Sequence, residues 1–169
     1  MRCMLSRLLV TSTVVLASSF ALTGCAVNTV TARAAAAPQG VPSNADVVKA
    51  AKWDEMETVT IELTEHDYDP KNVKFKANMP YRLVIKNTGE KDHYYTATEF
   101  FKSVAWRKAM TPRPYGGELK APYFTAVEVF KKTGAMELFF VPVEKGIFPV
   151  ECTIDDHKEK GMFGTITVE

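Results

Sequence analysis

The sequence predicts an all-β sandwich over residues 55–169, and three observations carry that expectation. From about Glu55 onward, apolar residues recur with a period of two. Turn-forming residues interrupt these runs at short intervals. About eight strand-like runs fit into roughly 115 residues, a density that suits two packed antiparallel sheets.

The elements follow in order. Arg2 and Arg7 give a short positive segment, and Leu8 to Leu22 is apolar or small and uncharged. That run is short for a membrane span and reads as a signal-peptide core, residues 1–24. It ends in Leu22-Thr23-Gly24-Cys25, which resembles the lipobox of bacterial lipoproteins. The resemblance implies cleavage before Cys25 and lipid on Cys25. Residues 25–54 read as a lipidated N-terminus and flexible linker, being Ala-rich and then broken by Pro38, Gly40 and Pro42. Within it, Ser43 to Lys52 can form a short helix with Ser43 or Asn44 as N-cap.

Strands come next. Val59, Ile61 and Leu63 alternate with Thr58, Thr60, Glu62 and Thr64; Val73 and Phe75 alternate with lysines; Tyr81, Leu83 and Ile85 alternate with Arg82 and Lys86. Further strands are expected at 93–97, 124–130, 136–141, 147–152 and 164–168. Residues 98–122 break the pattern and read as an insertion. Its first half suits a helix capped by Thr98, and its second half, with Pro112, Pro114, Gly116 and Gly117, suits a loop. Its five cations read as solvated charge on one flank of the sandwich.

Charge excludes one class of partner. The chain has 21 Lys+Arg against 20 Asp+Glu. Removing residues 1–24 takes away Arg2 and Arg7 and no acid, leaving 19 against 20. No strongly basic face is available for nucleic acid. Cysteine usage is equally restrictive. Cys3 leaves with the signal and Cys25 takes lipid, so Cys152 remains alone, with no disulfide partner. A lone thiol in an oxidising compartment is a liability unless buried or metal-bound.

Cys152 has suitable company. Cys152, His157 and Met162 follow one another with four residues between each pair, just before the last strand. Thiolate and thioether suit Cu(I), imidazole suits Cu(II), and a set of both holds either state with little rearrangement. His93, at the start of another strand, is placed to supply a second imidazole, with His66 its only competitor. Two His, one Cys and a Met make a type 1 (blue) copper site. Taken singly, each residue has a plainer reading: Cys152 as a small buried hydrophobe, His157 as a solvated loop residue, Met162 as core, His66 as surface. The spacing and order favour the joint reading. Zinc rarely uses Met. A dinuclear copper centre needs a second nearby Cys. Multicopper oxidase chemistry needs more than the three histidines present. No Ser/His/Asp set, phosphate loop or nucleotide fingerprint stands out.

Residues 55–169 resemble the cupredoxins, the family of plastocyanin, azurin, auracyanin and rusticyanin. The resemblance rests on Cys152-x4-His157-x4-Met162-x-Gly164, on His93 after an Asn-x-Gly turn, and on the strand order. It implies a Greek-key sandwich with copper at one end. It implies His93, Cys152 and His157 as equatorial ligands, Met162 as the long axial ligand, and the exposed edge of His157 as the electron port. Three positions depart from the usual pattern. Tyr94 follows His93 where a small polar residue often braces the Cys loop. Asp155-Asp156 stands where Pro-Gly is common, and two carboxylates there favour Cu(II). Pro149 interrupts the Cys strand, where a bulge or irregular end is expected.

The sequence therefore predicts a lipid-anchored electron carrier of the bacterial cell envelope, on the extracytoplasmic side, with one copper ion. It is expected to be monomeric, to serve redox partner proteins, and not to be an enzyme. Ala26 after the acylated Cys points to the outer membrane where there are two. The rival is a copper storage or delivery protein, which would release copper readily. A third reading is a binding module in which copper is incidental.

Overall fold

The computed structural model describes residues 43–169, apart from 113, 115 and 133. The expected signal peptide and Cys25 lie outside the described residues. The elements run α1 (Asn44–Ala50), a 3-10 turn (Trp53–Glu55), β1 (Glu57–Thr64), β2 (Asp67–Asp69), β3 (Asn72–Phe75), β4 (Tyr81–Asn87), β5 (His93–Thr96), α2 (Thr98–Lys102), β6 (Val104–Met110), β7 (Glu118–Leu119), β8 (Ala126–Val129), β9 (Ala135–Pro142), β10 (Gly146–Glu151) and β11 (Phe163–Val168). One sheet has the order β2-β1-β4-β9-β6-β7, the other β3-β11-β10-β5-β8. The β1–β4 and β3–β11 pairs are parallel, and the rest are antiparallel.

The alternation read from the sequence is the alternation that is buried. Ile61 and Leu63 on β1, Val73 and Phe75 on β3, and Leu83 and Ile85 on β4 point into the space between the sheets. Aromatic rings fill its middle. Phe75 meets Tyr81 at 4.7 Å and Phe140 at 5.4 Å, and Phe100 meets Phe140 at 5.4 Å between ring centroids. Each fully buried ring of this size contributes roughly 2–3 kcal/mol by removal from water.

Residues 98–122 differ from the expected insertion. The helix is one short turn, Thr98–Lys102, preceded by Ala97 at the cap position without a side-chain cap bond. The chain then returns as β6, between β9 and β7, and buries Val104, Ala105, Trp106 and Ala109. A register shift between Trp106 and Lys108 breaks the two-residue alternation. That bulge hid the strand from a periodicity argument. It also turns Arg107 outward, where its guanidinium lies 4.5 Å from the Trp53 ring. Lys102 pairs with Glu99, and Lys108 and Lys120 with Glu118, so each of these three cations has a carboxylate beside it. Residues 44–54 fall in the segment expected as linker, where the sequence predicts a short helix over 43–52; α1 forms there and packs on β6, and Trp53 Nε1 donates to Val48 O at 2.9 Å.

Pro149 makes no bulge. The β10–β11 register runs unbroken from Gly146↔Val168 to Glu151↔Phe163, with Pro149 opposite Thr165. The missing donor coincides with weak pairing on the strand's other edge, where β10 meets β5 only at Glu151↔Thr96. There α2 takes the place of a strand and packs Phe100 against Phe148.

Candidate metal centre

Four segments converge at one end of the sandwich. His93 opens β5, Cys152 follows the last residue of β10, His157 lies in the 153–161 loop, and Met162 precedes β11. The loop is wound by its own backbone. His157 N donates to Ile154 O (3.1 Å), Lys160 N to Asp156 O (3.1 Å) and Gly161 N to Lys158 O (2.9 Å). Met162 N then donates to His157 O, and Cys152 N to Met162 O, both at 3.0 Å. Three candidate ligands are thus tied by two backbone hydrogen bonds. Gly161 sits at φ +105°, a conformation that favours glycine. Gly164 serves close approach instead: a Cβ there would lie 1.9 Å from Lys71 O.

The segment before His93 is pinned as firmly. Asn87 is buried, donates to Lys91 O and Val129 O at 2.8 Å, and accepts from Gly89 N at 2.9 Å. Asp92 Oδ1 accepts from Lys131 N at 2.8 Å. These side chains fix where β5 begins. Turn propensity alone had marked Asn87, and its bracing role needed β8 to be in place.

His93, Cys152 and His157 are 0%, 1% and 3% exposed. One donor atom from each lies within 4.8 Å of the others. Cys152 Sγ is 4.0 Å from His93 Nδ1 and 3.5 Å from His157 Nδ1. First-row metal bonds of about 2.0 Å to nitrogen and 2.3 Å to sulfur, spread at 120°, put S and N about 3.7 Å apart. The two observed separations bracket that value, so the residues fit a metal ion. Tyr94 N–H donates to Cys152 Sγ at 3.4 Å, leaving the sulfur a fixed orientation. Met162 is 0% exposed.

Burial also readies the imidazoles. It lowers the His93 pKa to about 4, with His157 adding to the effect. It lowers that of His157 too, assisted by His66 and Lys91 and opposed by Asp155 and Asp156. Both rings are therefore neutral at pH 7, the form that ligates metal. His93 Nε2 is buried with no hydrogen-bond partner among the described residues, unlike the usual ligating histidine, whose second nitrogen is bonded.

The departures resolve individually. Tyr94 does not brace the Cys loop through its side chain, since its hydroxyl turns to Glu128 at 3.2 Å. Thr96 and Thr153 hydroxyls take that place, 3.1 Å apart across β5 and the loop. Asp156 is partly neutralised by Lys160 at 2.8 Å, which holds its carboxyl below the usual carboxylate range. Most of the His157 side chain is buried, at 3% exposure, and its Nε2 is not among the buried nitrogens without a partner. His66, at φ +62° in the β1–β2 turn, packs edge-on against its ring with centroids 4.7 Å apart. His66 is not in the ligand group, so between the two rival histidines His93 is the one beside Cys152.

No family model matches the sequence, and no curated protein matches it. Solved structures do resemble it. A copper-containing nitrite reductase from Thermus scotoductus aligns over 66% of this chain and 30% of its own at 9% identity and TM-score 0.51. A laccase from Pediococcus acidilactici aligns over 76% and 29% at 11% identity and TM-score 0.50. Reduced auracyanin from Roseiflexus castenholzii aligns over 66% and 96% at 19% identity and TM-score 0.47. The chain spans under a third of either enzyme. At these identities the likeness concerns the fold, a cupredoxin-like β-sandwich.

Proposed function

We propose that this chain is a type 1 copper protein that carries single electrons, anchored by lipid on Cys25 to the bacterial cell envelope. The supporting observation is one buried thiolate sulfur facing two imidazole Nδ1 atoms, with Met162 tied by backbone to both flanking ligands. Copper, when bound, supplies the one-electron couple. The protein's part is to hold His93, Cys152, His157 and Met162 still. The wound 153–161 loop and the Asn87-pinned turn oppose the rearrangement that would otherwise accompany a change of oxidation state. The four residues are at most 3% exposed, which favours retention of the metal over ready release. That favours a carrier over a storage or delivery protein. The chain has three histidines in all, too few for the further copper sites of an oxidase, so the reading is of a non-enzymatic protein serving redox partner proteins.

The test is the visible and electron-paramagnetic-resonance spectrum of the copper-loaded chain, with a redox titration. An intense copper–thiolate band that cycles reversibly with the metal retained is expected, and Cys152→Ser should abolish it. Colourless or normal-coupling copper would end the type 1 reading, and rapid loss of Cu(I) to a chelator would favour delivery. Anchoring is tested separately. Cys25→Ser should move the protein from the membrane fraction to the soluble one. Two or more acyl chains at about 0.8 kcal/mol per buried CH₂ give stable attachment, and a wild-type chain that is soluble with an unmodified N-terminus would rule it out.

A further inference from the structure

The N–H and C=O of a residue in an antiparallel strand point to the same edge of that strand. Those of Tyr94 point toward the β10 side of β5. Its N–H reaches Cys152 Sγ at 3.4 Å, just past the end of β10. The two strands pair only at Glu151↔Thr96, and the Thr96 and Thr153 hydroxyls meet beside that pair at 3.1 Å. The Tyr94 carbonyl is thus left without a partner on β10. Its partner comes from the other sheet. Tyr68, on β2, is 1% exposed and donates its hydroxyl to Tyr94 O at 2.7 Å. Its ring stands against that of Tyr95, with 5.3 Å between centroids. Burial pushes the Tyr68 pKa up, and the charge of nearby Cys152 adds to the effect, so the hydroxyl keeps its proton and donates. One residue therefore holds Cys152 by its N–H and is itself held by Tyr68 through its C=O.

We propose that Tyr68 is a positioning residue for the metal centre: by holding the Tyr94 carbonyl from the opposite sheet, it keeps the Tyr94 N–H aimed at Cys152 Sγ. The inference rests on the copper reading for its purpose but not for its geometry. A hydrogen bond to the cysteine sulfur draws charge from it and is one of the means by which a protein sets a copper potential. Weakening that bond leaves more charge on sulfur, which favours Cu(II), so the potential falls. The hydroxyl does this work and the ring does not. Tyr68→Phe keeps the ring in place and leaves Tyr94 O without its donor. An unpaired carbonyl in a protein interior is costly, so the Tyr94 backbone turns from its present alignment to pair elsewhere.

The test has a metal-free and a metal-bound arm, each on the full chain as wild type, Tyr68→Phe and Tyr95→Phe. Tyr95 is the control, because it is 1% exposed and packs on Tyr68 but its hydroxyl is not bonded to Tyr94 O. Without copper, amide hydrogen exchange is followed by NMR. The Tyr94 amide should exchange about tenfold or more faster in Tyr68→Phe and at the wild-type rate in Tyr95→Phe. The amides of Leu83 and Ile166, on interior strands of the two sheets, should keep their rates, which certifies the fold. With copper, Tyr68→Phe should show a shifted thiolate band and a preference for Cu(I) about tenfold weaker, a fall in potential of about 59 mV. Tyr95→Phe should match the wild type. An unchanged Tyr94 exchange rate in Tyr68→Phe overturns the proposal, and so does an unchanged potential in that variant once coloured. A wild type without a slowly exchanging Tyr68 hydroxyl proton also overturns it, with no substitution needed. If Tyr94 exchange responds as described but the wild type takes no colour with copper, the role of Tyr68 in holding Tyr94 stands and the copper reading falls.

Discussion

Met162 is fully buried, and its backbone bonds to both His157 and Cys152, so the same turn that sets the other ligands fixes its backbone. Met162→Gln offers a harder oxygen donor, which favours Cu(II), and Met162→Leu removes the donor. We expect the colour to persist in both, the reduction potential to fall in the first and to rise in the second. Each tenfold change in relative preference for the two states moves a one-electron couple by about 59 mV, so shifts of that size or more are expected in a redox titration. Packing alone would not move the potential in opposite directions, because the two replacements are similar in size. An unchanged potential in both variants would remove Met162 from the ligand set. His93 yields a second prediction, for the metal-free chain. Its folded pKa is about 4 because it is buried, against about 6.5 when unfolded. The unfolded state therefore binds the proton first as pH falls. Stability is whole above about pH 6.5 and declines toward pH 4, by about 2 kcal/mol between pH 7 and pH 5. Urea melts at the two pH values would show this, and His93→Gln should flatten the dependence.

At the scale of elements, the loop between β10 and β11 carries most of the site, and its two glycines make different demands. Gly161→Ala meets only His66 O, at an ordinary contact distance of 4.0 Å, but must keep φ +105°, a conformational cost of about 1–2 kcal/mol. Gly164→Ala drives a Cβ to 1.9 Å from Lys71 O, so β11 and the segment before β3 must separate, and we expect a loss of about 3 kcal/mol or more. Thermal or urea denaturation of the two variants should rank them in that order. The same loop explains why so much of the site was legible. Three candidate ligands within eleven residues need no tertiary information to be grouped, and their spacing survives as geometry. His93 needed the topology that lays β5 beside β10 to decide it over His66. The contact of His66 with His157 was not legible, because it depends on a turn nearly a hundred residues upstream. Among the strands, regular alternation exposed β1, β3 and β4. The β6 strand escaped because a bulge at Arg107 puts Trp106 and Lys108 opposite consecutive residues of β9.

For the molecule as a whole, the question is whether metal makes the fold or the fold makes the metal site. The aromatic core of Phe75, Tyr81, Phe100 and Phe140 lies between the sheets and owes nothing to copper. The elements that hold the ligands are closed by their own backbone and side-chain hydrogen bonds. Metal-free protein should therefore show native β circular dichroism and a cooperative melt. Copper then stabilises by mass action on a site that already exists. At a free concentration a thousandfold above its dissociation constant, it adds about 4.1 kcal/mol, which for a domain of this size is a rise in Tm of roughly 10–20 °C. Cys152→Ser should melt within a few degrees of the metal-free wild type and lose the copper-dependent rise, which separates the ligand's role from its place in the core. A metal-free chain without native circular dichroism would reverse the order, making copper part of the folding reaction rather than a tenant of the folded domain.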